Sequence, residues 1–220
     1  KDWVTCAFYH KLTRVDKLKG FKGNEFTAFG TAIHAVCEKK LLKENIDDER
    51  FFVRSFNDCI ADLGDDVPVD SGLVDQMAVS DYFGEYNVEA VELPLYEPIN
   101  GEGDYKFKGF IDAIVSTPDG KVHIFDWKTC SWGWDSRRRS EKMTTYQLTL
   151  YKHFFAQKME IDPKNVETHF ALLKRTAKKN RVELFRVTSG PRKTENALKL
   201  LHKALYNIKN KRYIKNRLSC

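Results

Sequence analysis

The chain has 220 residues, 42 % hydrophobic and 13 % aromatic. That suffices for one domain with a real core, or one domain with a modest helical extension, and excludes global disorder. The formal charge of +6 is too mild to speak for the whole surface, so its distribution matters more than its size.

Nine Lys and Arg stand against Glu195 alone between Arg192 and Arg217, so the excess is concentrated at the C-terminal end. Either a polyanion partner or a solvated helix face accounts for it. No apolar run approaches the roughly 20 residues of a membrane span, and no secretory signal is recognisable. No membrane association is therefore expected, although the chain opens on Lys1 rather than Met, as a trimmed piece would. Cys6, Cys37, Cys59, Cys130 and Cys220 are odd in number and scattered, with no CxxC pair. This argues for free thiols in a reducing compartment and against a zinc ribbon.

In chain order, Phe26 to Lys43 reads as a helix, with Phe29, Ile33, Val36, Cys37 and Leu41 on one stripe. Glu49 to Leu63 reads as a second helix stopped by Gly64, Asp65 to Ser71 as an acidic flexible loop, and Leu73 to Tyr86 as a weakly patterned helix. Val88 to Leu95, Lys106 to Ser116 and Val122 to Lys128 are short and rich in β-branched residues. Asn100-Gly101 and Pro118-Asp119-Gly120 supply turns between them. Thr144 to Met159 returns to helical spacing. Val166 to Leu173 and Arg181 to Val187 read as strands around the basic turn Lys174 to Asn180, and Thr194 to Asn210 as a basic amphipathic helix. The order predicts an α/β fold, a central mixed sheet flanked by helices. A single domain is expected, with a helical part over 1–87, a sheet core over 88–190 and a basic helix over 191–220.

The middle strands carry the chemistry. Asp112 interrupts the apolar run Gly109 to Val115, and Asp126 and Lys128 end the next strand pointing the same way, with Trp127 opposite. A carboxylate in a buried apolar strand is costly to ionise without compensation. A hard divalent cation such as Mg²⁺ or Mn²⁺ is the simplest compensation. Lys128 could hold an attacking water and offset charge on a phosphate. A plain Asp–Lys ion pair, with Asp112 capping a turn, answers the same pattern.

Gly109-x-x-Asp112 followed by Asp126-x-Lys128 resembles the PD-(D/E)XK nuclease superfamily, whose restriction-endonuclease-like core is the fold expected here. Gly30-Thr31-Ala32-Ile33-His34 and Gln147-Leu148-Thr149-Leu150-Tyr151 are similar to the helical histidine and QxxxY motifs of its RecB-like exonuclease branch. Cys6 to Leu12 is similar to the segment that precedes the histidine helix, though the family more often has Pro after the Cys. The resemblance covers about residues 3 to 155.

It implies that His34, Asp112, Asp126 and the backbone carbonyl of Trp127 bind the metal and that Lys128 activates the water. It also implies that Gln147 and Tyr151, one turn apart on a helix, steady the site or contact DNA. Glu92 matches a further acidic position that often precedes the Gly-x-x-Asp strand in this family, and is expected to stand behind the metal ligands. Some relatives hold an iron–sulfur cluster with one early and three late cysteines. Cys6 and Cys220 are so placed, Cys37, Cys59 and Cys130 are not, and no cluster is expected within these residues.

Trp132 and Trp134, then Arg137, Arg138 and Arg139, follow Lys128 and suit single-stranded or frayed duplex DNA ends, or else pack under a loop. Lys174, Arg175, Lys178 and Lys179 could contact phosphates without reading sequence. The resemblance thus implies a Mg²⁺- or Mn²⁺-dependent DNA exonuclease of recombination, repair or genome processing, in a bacterial or phage-infected cytoplasm, leaving 5′-phosphates. No GxxxxGK[ST] loop is present, so any helicase would be a separate partner. A structure-specific endonuclease on the same core and a non-catalytic nucleic-acid-binding subunit are the alternatives.

Overall fold

The computed structural model describes residues 2–18, 23–60 and 82–218. The chain begins with α1 (Asp2–Thr5), α2 (Ala7–His10) and a π-helical turn, Lys11–Val15. Two long helices follow, α3 (Glu25–Leu41) and α4 (Asp48–Ile60). The sheet is then laid down as β1 (Asn87–Pro98), β2 (Lys106–Ser116) and β3 (Val122–Cys130). Helices α5 (Ser136–Ser140) and α6 (Lys142–Lys158) lead to β4 (Val166–Lys174) and β5 (Val182–Arg186), and α7 (Pro191–Lys209) closes the order. The expected loop at Asp65 to Ser71 lies outside the described residues, as do the end of the second predicted helix and all but the last part of the third.

The five strands lie in the order β1-β2-β3-β4-β5, antiparallel except for the parallel β3–β4 pair. A parallel neighbour needs a crossover, and α5 with α6 supplies it. The β2–β3 hairpin is closed by Thr117 to Lys121, with Gly120 at φ +80, where a side chain would be strained. Every residue of β4 is buried, because both sheet faces are covered.

Two apolar clusters result. On one face α3 and α4 bring Val36, Cys37, Phe52 and Phe56 against Phe125 and Trp127. On the other, α6 and α7 bring Leu148, Phe154 and Leu205 against Ile111, Ile124 and Phe170. Each of these large side chains contributes about 1.5–3 kcal/mol by leaving water. The start of α3 is set by a capping box. Asn24 accepts from the Thr27 amide at 3.0 Å, while the Thr27 hydroxyl accepts from the Asn24 amide at 2.9 Å.

The expectation of free thiols needs one correction. Cys59 and Cys130 are free and Cys37 is a buried thiol, but Cys6 is disulfide-bonded. Spacing along a chain does not reveal which distant cysteines folding brings together. Among the described residues no helix is long and apolar enough to cross a membrane.

Candidate active site

Strand alternation breaks at a shared level on β1 and β2. Leu93 and Ile111 face the α6–α7 side, whereas Val91 and Ala113 face α3 and α4. Residues two apart on a regular strand share a face, so both strands change phase at the residue between. Those residues are Glu92 and Asp112. Glu92 takes φ +47, a left-handed conformation rare for a side chain of its kind, which commits backbone strain to this spot. The β2–β3 ladder runs only from Ser116↔Val122 to Ala113↔Phe125. At the fork beyond it the Asp112 carboxylate takes over, with Oδ2 accepting from the Trp127 amide at 2.7 Å.

The fork collects donors from both layers. His34, on the flank of the buried α3 stripe, places Nδ1 3.8 Å from Asp112 Oδ2. His34, Glu92 and Asp112 each offer a ligand atom, and these lie within 4.8 Å of one another. From the other layer Gln147 of α6 donates through Nε2 to Asp126 Oδ1 at 2.7 Å and contacts the Tyr151 hydroxyl at 3.1 Å. Lys128 Nζ forms an ion pair with Asp126 Oδ2. Asp126 is 1 % exposed, and Trp127 packs into the opposite core, as the strand period requires.

The electrostatics follow from burial. Asp112 is pushed up to about 8, first by desolvation and then by the nearby Asp126 charge, with Lys128 opposing. His34 is pulled down to about 4 by burial and then by Lys128, against a hydrogen bond to the Trp127 backbone. Glu92 is raised by burial and by Glu38. The half-buried Asp112 carboxylate and the exposed Glu92 carboxylate beside a neutral imidazole form a donor set suited to a divalent cation. The residues present fit such an ion. Glu92, expected behind the ligands, brings its carboxylate within 4.8 Å of the His34 and Asp112 ligand atoms. Asp126 meets Lys128 and Gln147. The ion pair and the backbone cap that a purely structural role would ask for are thus also present.

Gly109 has a specific reason to lack a side chain. A Cβ there would lie 2.6 Å from Tyr151 Cε1. Gly109→Ala is expected to destabilise the protein by about 1–3 kcal/mol through overpacking, measured by chemical denaturation, and Tyr151→Ala in the same chain should relieve most of that cost. Gly30 is different, since a Cβ would meet Thr129 Oγ1 at an ordinary 3.6 Å.

The expected DNA-contacting residues divide. Trp132 is 75 % exposed on the loop after β3, and Arg137, Arg138, Lys178 and Lys179 are exposed. Arg175 lies over the Phe26 ring at 4.5 Å. Trp134, considered as a stacking ring, is instead 6 % exposed and packed on Phe170 and Phe185. Arg139 is bound to Glu183 and to the Trp134 carbonyl, and Lys174 is a buried strand residue facing Glu183 at 3.5 Å. Glu183, on β5, is what holds these two cations. The basic surplus of α7 is partly spent in the same way, with His202 and Lys209 both 2.6 Å from Glu102.

Comparison with known proteins agrees with this geometry. A solved structure from Eubacterium rectale, provisionally described as an exonuclease, is 12 % identical. It superposes with a TM-score of 0.61 over 98 % of this chain and 79 % of that one. A likeness at that identity concerns the fold alone. The structure of SSO0001 is 15 % identical, with a TM-score of 0.41 over 91 % of this chain and 84 % of that one, too low to carry an argument. No curated protein matches. A sequence model of the PD-(D/E)XK nuclease superfamily matches residues 1–219, in keeping with the α/β core and the forked acidic site, and the chain belongs to that superfamily.

Proposed function

We propose that this nuclease is a DNA exonuclease that hydrolyses phosphodiester bonds with Mg²⁺ or Mn²⁺. The observation that carries the reading is the fork itself. His34, Glu92 and Asp112 converge within 4.8 Å beside the Asp126–Lys128 pair, in a place where Asp112 resists ionisation without a cation. A divalent ion bound there neutralises charge on the phosphate and lowers the pKa of water.

The protein's own groups do the rest. Gln147 fixes one Asp126 oxygen, and Tyr151, seated against Gly109, fixes Gln147. The Lys128 ammonium is held on the other Asp126 oxygen and is 31 % exposed, so it can orient a water and meet a phosphate oxygen. His34 stays neutral near pH 7 and keeps a lone pair to offer. The Trp127 carbonyl and Asp126 complete the proposed ligand set. The motifs on α3 and α6 favour an exonuclease, and so does the provisional description of the Eubacterium rectale protein.

Trp132, Arg137, Arg138, Lys178 and Lys179 would engage the strand, the tryptophan by stacking and the cations by phosphate contact. Trp132→Ala should weaken single-strand binding by roughly 1–3 kcal/mol, seen by fluorescence anisotropy in EDTA. Digesting linear and covalently closed single- and double-stranded DNA with Mg²⁺ tests the assignment. Loss of linear substrate with circles spared is expected, and cutting of circles would make the protein an endonuclease.

A further inference from the structure

A second cluster lies on the face of the sheet opposite Asp126. His123 of β3 and Glu167 and His169 of β4 share that face with Phe125, across the register pairs His123↔Glu167 and Phe125↔His169. His123 precedes Asp126 by three residues, which separates the two places by about 10 Å along the strand. His123 is 5 % and His169 1 % exposed.

Their ligand atoms converge. His123 Nδ1 is 3.1 Å from His169 Nε2 and 4.0 Å from Glu167 Oε2, and the three residues each offer an atom within 4.8 Å of the others. Zn–N bonds of about 2.0–2.1 Å place two ligand nitrogens of a tetrahedron about 3.3 Å apart, close to the separation found. The Glu167 oxygen would need to close in by roughly 0.7 Å on the same geometry.

On His123 and Glu167 the atoms pointing away from the convergence are held as outer-shell partners hold metal ligands. Thr117 Oγ1 lies 3.0 Å from His123 Nε2. Lys121 Nζ and Arg186 Nη2 bind the other carboxylate oxygen of Glu167, at 3.2 and 3.1 Å, and Asp119 lies 3.6 Å from the lysine. Tyr82 and Phe83 pack over the imidazoles, with the Phe83 centroid 4.5 Å from that of His123. Burial pulls His169 down to about 3 and lowers His123 as well, so both rings carry free lone pairs at neutral pH. His169 Nδ1 is buried with no hydrogen-bond partner among the described residues. Two buried imidazoles and a carboxylate are an expensive way to fill a core that Phe83 and Phe125 already make apolar.

We infer that His123, His169 and Glu167 form a second metal site, suited to zinc by its two nitrogen donors and one oxygen donor, which ties β3 to β4 away from the catalytic fork. Three protein ligands leave one position for water. The site is independent of the nuclease reading.

The test uses Co²⁺ as an optical probe in a His34→Gln/Asp112→Asn chain, which lacks two donors of the fork. One equivalent of Co²⁺ with tetrahedral visible absorption is expected, displaced by Zn²⁺ and not by Mg²⁺. His169→Gln should abolish the absorption. Glu167→Gln, which keeps the volume, should weaken Co²⁺ binding at least about tenfold and serves if the histidine variant does not fold. No tetrahedral absorption, or absorption unchanged in the Glu167→Gln and His169→Gln chains, would overturn the proposal and leave a hydrogen-bonded imidazole pair.

Discussion

Lys128→Ala is expected to lower the rate of DNA cleavage by roughly 10²- to 10⁴-fold while leaving DNA binding nearly intact. The lysine pairs with the buried Asp126 carboxylate, and it is exposed enough to reach substrate. The loss should appear in single-turnover cleavage with saturating Mg²⁺. Retained anisotropy with labelled DNA and an unchanged far-ultraviolet spectrum would exclude unfolding. Arginine should not rescue, because a planar fork does not replace a compact ammonium at one water-sized position. Cleavage within a few-fold of wild type would reduce the Asp126–Lys128 pair to a structural ion pair.

Asp112→Asn should divide stability from function in a pH-dependent way. In the metal-free protein burial and Asp126 raise this carboxyl from the usual 3.8 to about 8. A group whose pKa rises on folding binds a proton more tightly in the native state, so its ionisation costs stability as pH climbs through that interval. In EDTA the variant should match wild type near about pH 4 and exceed it by several degrees in Tm near about pH 9. Added Mn²⁺ should reverse the order at the higher pH, stabilising wild type and leaving the variant unmoved. Equal melting curves in EDTA across that range would mean that Asp112 ionises freely and that the fork is not a site poised for a cation.

Much of this was readable from side-chain period and turn chemistry. Asp119-Gly120 marks the hairpin, the β4 run Val166 to Leu173 marks the buried strand, and the Asp126/Lys128 spacing places both on one face opposite Trp127. The Gln147–Tyr151 pair meets as helical spacing says it should.

What escaped depends on contacts between distant segments. Nothing local marks the phase change at Glu92 and Asp112, which brings Glu92 within 4.8 Å of His34 and Asp112. Gly109 reads as a motif letter until Tyr151 is seen against it. Trp134, Arg139 and Lys174 resemble a nucleic-acid surface until Glu183 and Phe185 arrive from β5 to bury or bind them. The His123–Glu167–His169 cluster is divided between two strands 40-odd residues apart and has no spacing signature at all.

The measurement that tests the central claim most directly is a time course of an end-labelled linear DNA strand with Mn²⁺, after EDTA, and after Mn²⁺ is restored. Wild type and Asp126→Asn would be run together. Wild type should cut, stop and resume, while the variant stays silent in all three phases and still binds the strand. Cutting that persists in EDTA, or that proceeds at wild-type rate in Asp126→Asn, would contradict a metal-dependent centre at the β2–β3 fork.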